Sequence, residues 1–537
     1  MQRITGSERI LTEFPDYLRD ESRLIASHAD ALVWPLSEDD IRDALADARA
    51  HAWPVTVSAA RTGIVGGCVP LHGGMILSLD KMTMLSRLNY DLTHDSWSLV
   101  CQPGALLCGV HESAENLFRF YEPLWPADAQ KNIQLARQRG VRLFYPPDPT
   151  ELSATVGGSV ATNASGARTF KYGPTRPYVR RLRVVLADGA VLDIPRGAVR
   201  ASHGMLRIPD SLIALPTGHS YAIPVPSYSM PATKHCAGYF ASPDMDLIDL
   251  FIGSEGTLGV ISEVELLLLP RTKERLSVTA FFPSELRALQ FVNELRSAIR
   301  NGTLDIEAIE FFGASALQLL RLRRTPSDSA IPEIPHADAA IYTELAYHEG
   351  ALDEAFSLLE HYLVCCGSSA DDAWAGLDDN EIKKMKLFRH AVPETINQII
   401  AERKRNLPSL HKIATDLAVP DEHLQDMITF YHEQLIAAGL EYVIFGHIGN
   451  NHLHVNILPR DQDELLRAKI LYRRFAEKAV ALGGTVAAEH GIGKLKTSFL
   501  EAMYGPAGVA QMRAVKEALD PHYLLGRGTL FSPPSSD

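Results

Sequence analysis

The 537-residue chain has only six cysteines, Cys68, Cys101, Cys108, Cys236, Cys365 and Cys366, and no C-x-x-C pair. That spacing offers neither a zinc ribbon nor the ligand set of an iron–sulfur cluster. It suits a reducing compartment and unpaired thiols. Basic charge is also scarce: 52 Lys and Arg stand against 65 Asp and Glu, a formal charge of -13. So acidic a chain lacks the general basic face that displaces counterions from phosphates, which excludes nucleic acid as a partner. A small anionic substrate, needing one or two buried cations, is not excluded. No uninterrupted apolar run reaches bilayer-spanning length, and the N-terminus, charged from Glu8 onward, lacks a signal-peptide core. The expectation is a cytoplasmic protein, with peripheral attachment to a membrane left open. Absent too are G-x-G-x-x-G between strand and helix, G-x-x-x-x-G-K-[ST], internal repeats, and any low-complexity tract before the Ser/Pro-rich last six residues.

What is present reads as a globular protein of two to four domains: 46% hydrophobic and 22% charged residues. Ser37 precedes an acidic turn and an amphipathic stretch over 41–50, predicting a capped helix. Short strands bounded by Gly or Pro are predicted at 54–57, 75–79 and 98–102, a helix at 113–120, and a strand pair at 179–186 and 190–194 across Asp188-Gly189. An apolar strand over 264–269 ends at Pro270. Beyond it the texture changes: helical patterns at 284–300, 352–363, 381–405 and 421–438 alternate with strands at 339–345 and 442–448, a separate α+β domain. Glycine returns from Ala481 onward, as if the tail crosses back to the first domain. The division is an N-terminal extension (1–29), a first domain (30–270), a cap (271–480) and a closing C-terminal segment (481–537).

Two sets of residues point to chemistry. Glycine clusters at Thr62–Gly67, Gly157–Gly173 and Gly253–Gly259 let backbone N–H groups approach phosphate oxygens with no Cβ in the way, although each cluster alone reads more readily as a turn. His447 and His454 flank a glycine turn and can aim both imidazoles at one place. Glu489 completes a His₂-carboxylate set suited to zinc or another divalent metal with open positions. The rival reading is histidines bonded to backbone at strand ends. His452, two residues from His454, shares its strand face.

The clusters in order resemble the vanillyl-alcohol-oxidase-type flavin family. Thr62, Gly63, Gly66 and Gly67 look like its first phosphate loop, and Pro147, Asp148, Gly157, Gly158, Asn163, Ser165 and Gly166 like its second flavin-contacting stretch. Tyr172, Gly173 and Val179, then Glu255, Gly256, Thr257, Gly259, Val260 and Ile261, complete the pattern. The resemblance runs from about residue 30 to 531. It implies a two-subdomain FAD-binding domain of the PCMH type, a ferredoxin-like α+β cap and a C-terminal helical segment. FAD is expected to be non-covalent, since no histidine lies between Ser58 and Gly67. His447, His454, Glu489 and His490 match the D-2-hydroxyacid dehydrogenase branch, which oxidises D-lactate, D-2-hydroxyglutarate or glycolate. By that likeness the first three hold a divalent cation, Zn²⁺ first and Fe²⁺ or Mn²⁺ as alternatives. His490 becomes the general base, while Arg389 and Lys412 hold the substrate carboxylate.

The implied reaction turns a D-2-hydroxy acid, D-lactate in the first instance, into the 2-oxo acid and passes hydride to FAD. With no NAD motif, cysteine cluster or haem signature, the electrons are expected to leave to a separate acceptor: an electron-transfer flavoprotein, a quinone, a cytochrome or an iron–sulfur subunit. A homodimer is allowed. The rivals are a metal-dependent hydrolase, a non-catalytic flavin-binding oxidase subunit, and an alkyl-transferring relative that shares the flavin loops.

Four departures from the family pattern stand out. His452 falls where the usual motif differs, as a fourth ligand or a neighbour of the metal. Arg61 takes a position commonly held by glycine, facing the pyrophosphate or disturbing the turn. Leu525-Gly526-Arg527-Gly528-Thr529 replaces an Asn-Pro-Gly. The 196–239 segment is long for a connection and reads as a lid, a partner contact or a linker. Lys234 at its end could reach the flavin, but a surface position is the favoured reading.

Overall fold

The computed structural model describes residues 1–216, 218–323 and 332–532. Thr217, inside the 196–239 segment, and nearly all of the Ser/Pro-rich end lie outside them.

The first sheet is four-stranded. Ala31–Trp34 and Val55–Ser58 both run parallel to Met75–Ser78, which lies between them. All the Ala31–Trp34 and Met75–Ser78 side chains are buried, the continuous apolar run expected of a covered parallel strand. Helix Glu38–Ala50 covers the sheet with Ile41, Ala44, Leu45 and Ala48 at i, i+3, i+4 and i+7. Ser37 Oγ accepts from Asp40 N, as its position predicts; losing such a cap costs about 1 kcal/mol. Gln2–Thr5 pairs antiparallel with Ala31–Trp34, so the N-terminal extension supplies an edge strand to this sheet.

The second sheet is seven-stranded and centres on Val260–Pro270, which pairs antiparallel with Ser96–Cys101 and Val179–Val185. Val191–Pro195 returns beside Val179–Val185 across the Asp188-Gly189 turn, where Gly189 takes φ 91°. The helix expected at 113–120 runs instead over Leu107–Glu115. Leu117 and Phe118 then adopt φ of 46° and 53°. This left-handed exit buries Phe118 against Trp125, ring centroids 5.2 Å apart.

In the cap, the first four strands in chain order are Glu274–Phe282, Ile306–Gly313, Ala339–Tyr347 and Ala373–Gly376. They lie in the spatial order fourth–first–third–second, all neighbours antiparallel. Helices Glu285–Arg300 and Leu352–Cys365 join the first to the second and the third to the fourth. This is the split β-α-β ferredoxin-like arrangement. The sheet then grows: Tyr442–His447 pairs with Ile306–Gly313, and His452–Ile457 folds back on Tyr442–His447. Asn451, at φ 55°, makes the left-handed turn between them.

The C-terminal segment returns to the first domain. After helix Thr497–Leu519, Val55 N donates to Leu524 O (2.7 Å) and Gly526 N to Val55 O (2.9 Å). The departing Leu525–Thr529 motif thus extends the first sheet. The fold is the two-subdomain PCMH-type architecture with an α+β cap. Among the described residues no helix is long and apolar enough to cross a membrane.

Candidate active site between the glycine loops and the cap

The glycine loops and the cap enclose a cavity of about 2010 Å³, roughly twice the upper end of the ~300–1,000 Å³ usual for one small ligand. Of the expected flavin contacts, Thr62, Gly63, Gly67, Gly157, Gly158, Ser165, Glu255, Gly256, Gly259 and Ile261 front it. The others lie behind that surface. Asp148 Oδ1 accepts from Arg168 N, Asn163 Oδ1 accepts from Arg176 N, and Thr257 Oγ1 bonds Tyr239 Oη. Tyr172 Oη donates to Glu307 across to the cap (2.5 Å). A Cβ on Gly166 would meet Asp148 O at 2.0 Å and one on Gly66 would collide with Leu24. Gly173 ends a one-turn helix at φ 77°, Pro147 leads into Asp148, and Val179 and Val260 are sheet core.

Two observations fit a flavin nucleotide to this cavity. A Cβ on Gly67 would meet nothing within 4 Å, and one on Gly158 only Thr155 Oγ1, so backbone is laid open to the cavity there. Ser58, Ser159 and Ser165 also front it with Oγ atoms buried and lacking hydrogen-bond partners among the described residues. Buried hydroxyls usually find partners, and a polar ligand in the cavity would supply them.

Arg61 fronts the cavity too. Its guanidinium lies over the Tyr17 ring, 4.1 Å from the centroid, and 3.7 Å from Asp80. Glu255 Oε1 and Oε2 accept from Ile492 N (2.8 Å) and Gly493 N (2.7 Å), so this buried carboxylate pins the C-terminal loop to the glycine loop.

At the cap end the two histidine strands do what their register dictates. His447 lies opposite His452, and Phe445 opposite His454. Cross-strand partners and i, i+2 neighbours share a face, so all three imidazoles gather there, with ring centroids 4.4–5.5 Å apart. Glu489 joins from the C-terminal loop. One ligand atom from each of His447, His452, His454 and Glu489 lies within 4.8 Å of all the others. His452 therefore belongs to the cluster, fully buried behind the cavity wall. Its two ring nitrogens and His447 Nε2 make no good hydrogen bond, although His447 Nε2 is 3.3 Å from Glu489 Oε1 and His452 Nε2 is 3.2 Å from Asp416 Oδ1. Buried, unpartnered imidazole nitrogens around a carboxylate are the donor set a divalent cation takes. On its other side His447 Nδ1 donates to Glu310 (2.5 Å). Burial opposes the charge on His447, but Glu310 and Glu489 outweigh it and push its pKa up to about 9.

His490 follows Glu489 and fronts the cavity. Its ring stacks on His454, centroids 5.7 Å apart and planes at 8°, and Nδ1 is 3.5 Å from Asp416 Oδ2. Burial pulls its pKa down to about 4, leaving the ring neutral and able to accept a proton. Arg389 lines the same cavity, Nε 3.6 Å from Glu310 Oε2. Lys412 lines it too, and burial lowers its pKa to about 8.

Besides Glu310, sequence reading missed Asp416 and misjudged Lys234. Asp416, fully buried, accepts from Ala488 N, Glu489 N and His490 N at 2.9–3.2 Å and from Lys496 Nζ at 2.6 Å. Lys234, read as a surface residue, is buried. Its side chain is 3% exposed, and Nζ donates to Glu489 and to Gly166 O (3.3 Å). The end of the 196–239 segment is stitched to the loop that carries Glu489 and His490: Cys236 N donates to Ala487 O and Gly491 N to Cys236 Sγ.

A nucleotide-sized, glycine-lined cavity closed by a ferredoxin-like cap defines a flavin-dependent oxidoreductase. Residues 29–129 and 131–195 match the FAD binding domain, and residues 271–530 match the C-terminal domain of FAD linked oxidases. The chain belongs to this FAD-linked oxidase family. It is 26% identical to glycolate oxidase subunit GlcD of Bacillus subtilis (96% of this chain, 92% of that one). It is 26% identical to a D-lactate dehydrogenase of Anaerostipes hadrus (96% and 92%) and 27% identical to a D-2-hydroxyglutarate dehydrogenase of Xanthomonas citri pv. viticola (99% and 96%). A solved alkyldihydroxyacetonephosphate synthase shares the fold over 97% of this chain and 84% of its own, at 16% identity and TM-score 0.61.

Proposed function

We propose that the protein oxidises a D-2-hydroxy acid to the 2-oxo acid. D-lactate is the first candidate, and D-2-hydroxyglutarate and glycolate are the alternatives. The observation that carries this reading is the convergence of His490, Arg389 and Lys412 on one cavity with the His447/His452/His454/Glu489 cluster, beside the glycine loops. When bound, FAD supplies a hydride acceptor, and a divalent metal, zinc first, supplies a Lewis acid that makes the hydroxyl more acidic. His447, His454 and Glu489 would hold the metal, with His452 as a fourth donor. Arg389 grips the carboxylate by its fork of N–H groups, Lys412 adds charge, and His490 takes the hydroxyl proton at Nε2 while Nδ1 faces Asp416. The electrons leave to an electron-transfer flavoprotein, a quinone, a cytochrome or an iron–sulfur subunit.

The test is an anaerobic absorbance spectrum with a panel of D- and L-2-hydroxy acids. Bleaching of the flavin band by one D-acid, prevented by prior EDTA, is expected. A yellow protein that no hydroxy acid bleaches refutes the substrate class, and insensitivity to EDTA refutes the metal. In the same assay Arg389→Met should raise KM about tenfold or more, the worth of a charged hydrogen bond of about 1.5–3 kcal/mol, with a smaller change in kcat.

Lys412 gives this site a pH signature. Its charge is present below about pH 8 and lost above it, so KM for an anionic substrate should climb through that region. Lys412→Met should flatten the rise. The stability effect has the opposite sense. Because the unfolded chain keeps this proton up to about pH 10.4, stability gains from this group as pH rises between the two values.

A further inference from the structure

We propose that Lys234 is a cation built into the metal cluster, sharing Glu489 with the divalent ion and keeping that ion exchangeable. The inference rests on the metal reading above and deepens it. Glu489 is a buried carboxylate, and removing the partner of such a charge is costly. Of its two oxygens, Oε1 receives the Lys234 ammonium and also lies 3.3 Å from His447 Nε2. The oxygen nearest His447 is therefore the one the ammonium holds, while Oε2 lies 3.9 Å from His452 Nδ1.

Lys234 does not reach this place by chance flexibility. The chain around it is fixed: Cys236 N donates to Ala487 O, Cys236 Sγ accepts from Gly491 N, and Tyr504 Oη donates to Ala237 O (3.1 Å). Its second acceptor, Gly166 O, belongs to the second glycine loop. An ammonium with two acceptors can lean on either. With a divalent ion on Glu489 it turns toward Gly166 O, and without one it neutralises Glu489.

Two consequences follow. The protein without metal keeps its buried carboxylate paired, so it stays folded. Metal entry must also overcome repulsion from a fixed positive charge and the loss of an ion pair, which weakens binding. A merely structural lysine predicts the reverse, since loosening the loop that carries Glu489 would weaken metal binding.

The experiment titrates chelator-stripped, FAD-containing wild type and Lys234→Met with Zn²⁺ by calorimetry, alongside thermal melts. Lys234→Met should bind Zn²⁺ about tenfold tighter, within the 10–100-fold range that groups around metal ligands command. Its metal-free Tm should fall, zinc should restore it, and the double variant Lys234→Met/Glu489→Gln should recover most of the metal-free Tm. Should Lys234→Met be recovered only with zinc bound, its release into excess chelator is compared with that of wild type, and slower release is expected. Equal or weaker zinc affinity, or release as fast as wild type, overturns the role of Lys234 while leaving the metal site intact. Absence of zinc binding in both proteins overturns the metal site itself, and this inference with it.

Discussion

Replacing His490 by Ala should slow reduction of the flavin by about 10²–10⁴-fold, the usual worth of a positioned general base, while the protein stays yellow. Three features of the ring set that expectation. It is neutral at working pH, because burial holds its pKa near 4. It is held in place, since the backbone N–H of His490 donates to Asp416 Oδ2 (3.0 Å) and the ring's face lies on His454. It also fronts the cavity between the histidine cluster and the glycine loops. None of the buried serine hydroxyls or open glycine backbones fitted to the flavin depends on this side chain. Anaerobic stopped-flow reduction with the D-acid that bleaches the wild type measures the effect. Wild-type reduction kinetics in the variant would refute the assigned role, and loss of the flavin would mean that the ring supports the cofactor instead.

The elements legible in the sequence were those whose signal is local. Ser37 and Ser284 each precede an amphipathic run, and both hydroxyls accept from the backbone N–H three residues on, capping Glu38–Ala50 and Glu285–Arg300. The gathering of His447 and His454 was legible because period-2 alternation on either side of a tight glycine turn leaves few other outcomes. The helix near Leu107 was misplaced because its end is decided by the burial of Phe118, a tertiary event. Glu310 carried a readable clue: a carboxylate in Ile306–Gly313, where every residue is buried, needs a partner, and His447 is that partner. Lys234 and Asp416 carried none of that strength. Each lies in an irregular or two-residue-strand region, where exposure is the ordinary fate of a charge. Their partners are 255 and 72–80 residues away in sequence.

Asp416→Asn, an almost isosteric change, should do more damage than its size suggests. The carboxylate accepts from Ala488 N and Glu489 N through Oδ1 and from His490 N and Lys496 Nζ through Oδ2. Asparagine keeps one acceptor oxygen and turns its NH₂ donors toward at least two other donors. Whichever way the amide flips, either the peptide bearing Glu489 or the pair His490 N and Lys496 loses its acceptor. The buried Lys496 also loses its counter-charge, and breaking a buried pair in this way costs about 3–5 kcal/mol. Despite burial, His490 and Lys496 hold the Asp416 carboxyl well below the usual carboxylate range. Its stabilisation is therefore complete above about pH 4, where the unfolded group has ionised, and is lost only as pH falls toward the depressed folded value. The Tm gap between wild type and variant should accordingly be the same at pH 6 and pH 8 and narrow only in acid. Because the same loop presents Glu489 to the histidine cluster and His490 to the cavity, zinc content and flavin reduction rate should fall together with Tm. A variant with lowered Tm but full zinc content and unchanged reduction rate would make Asp416 a packing anchor alone. The coordinated loss of all three would make it the residue that positions metal ligand and base at once.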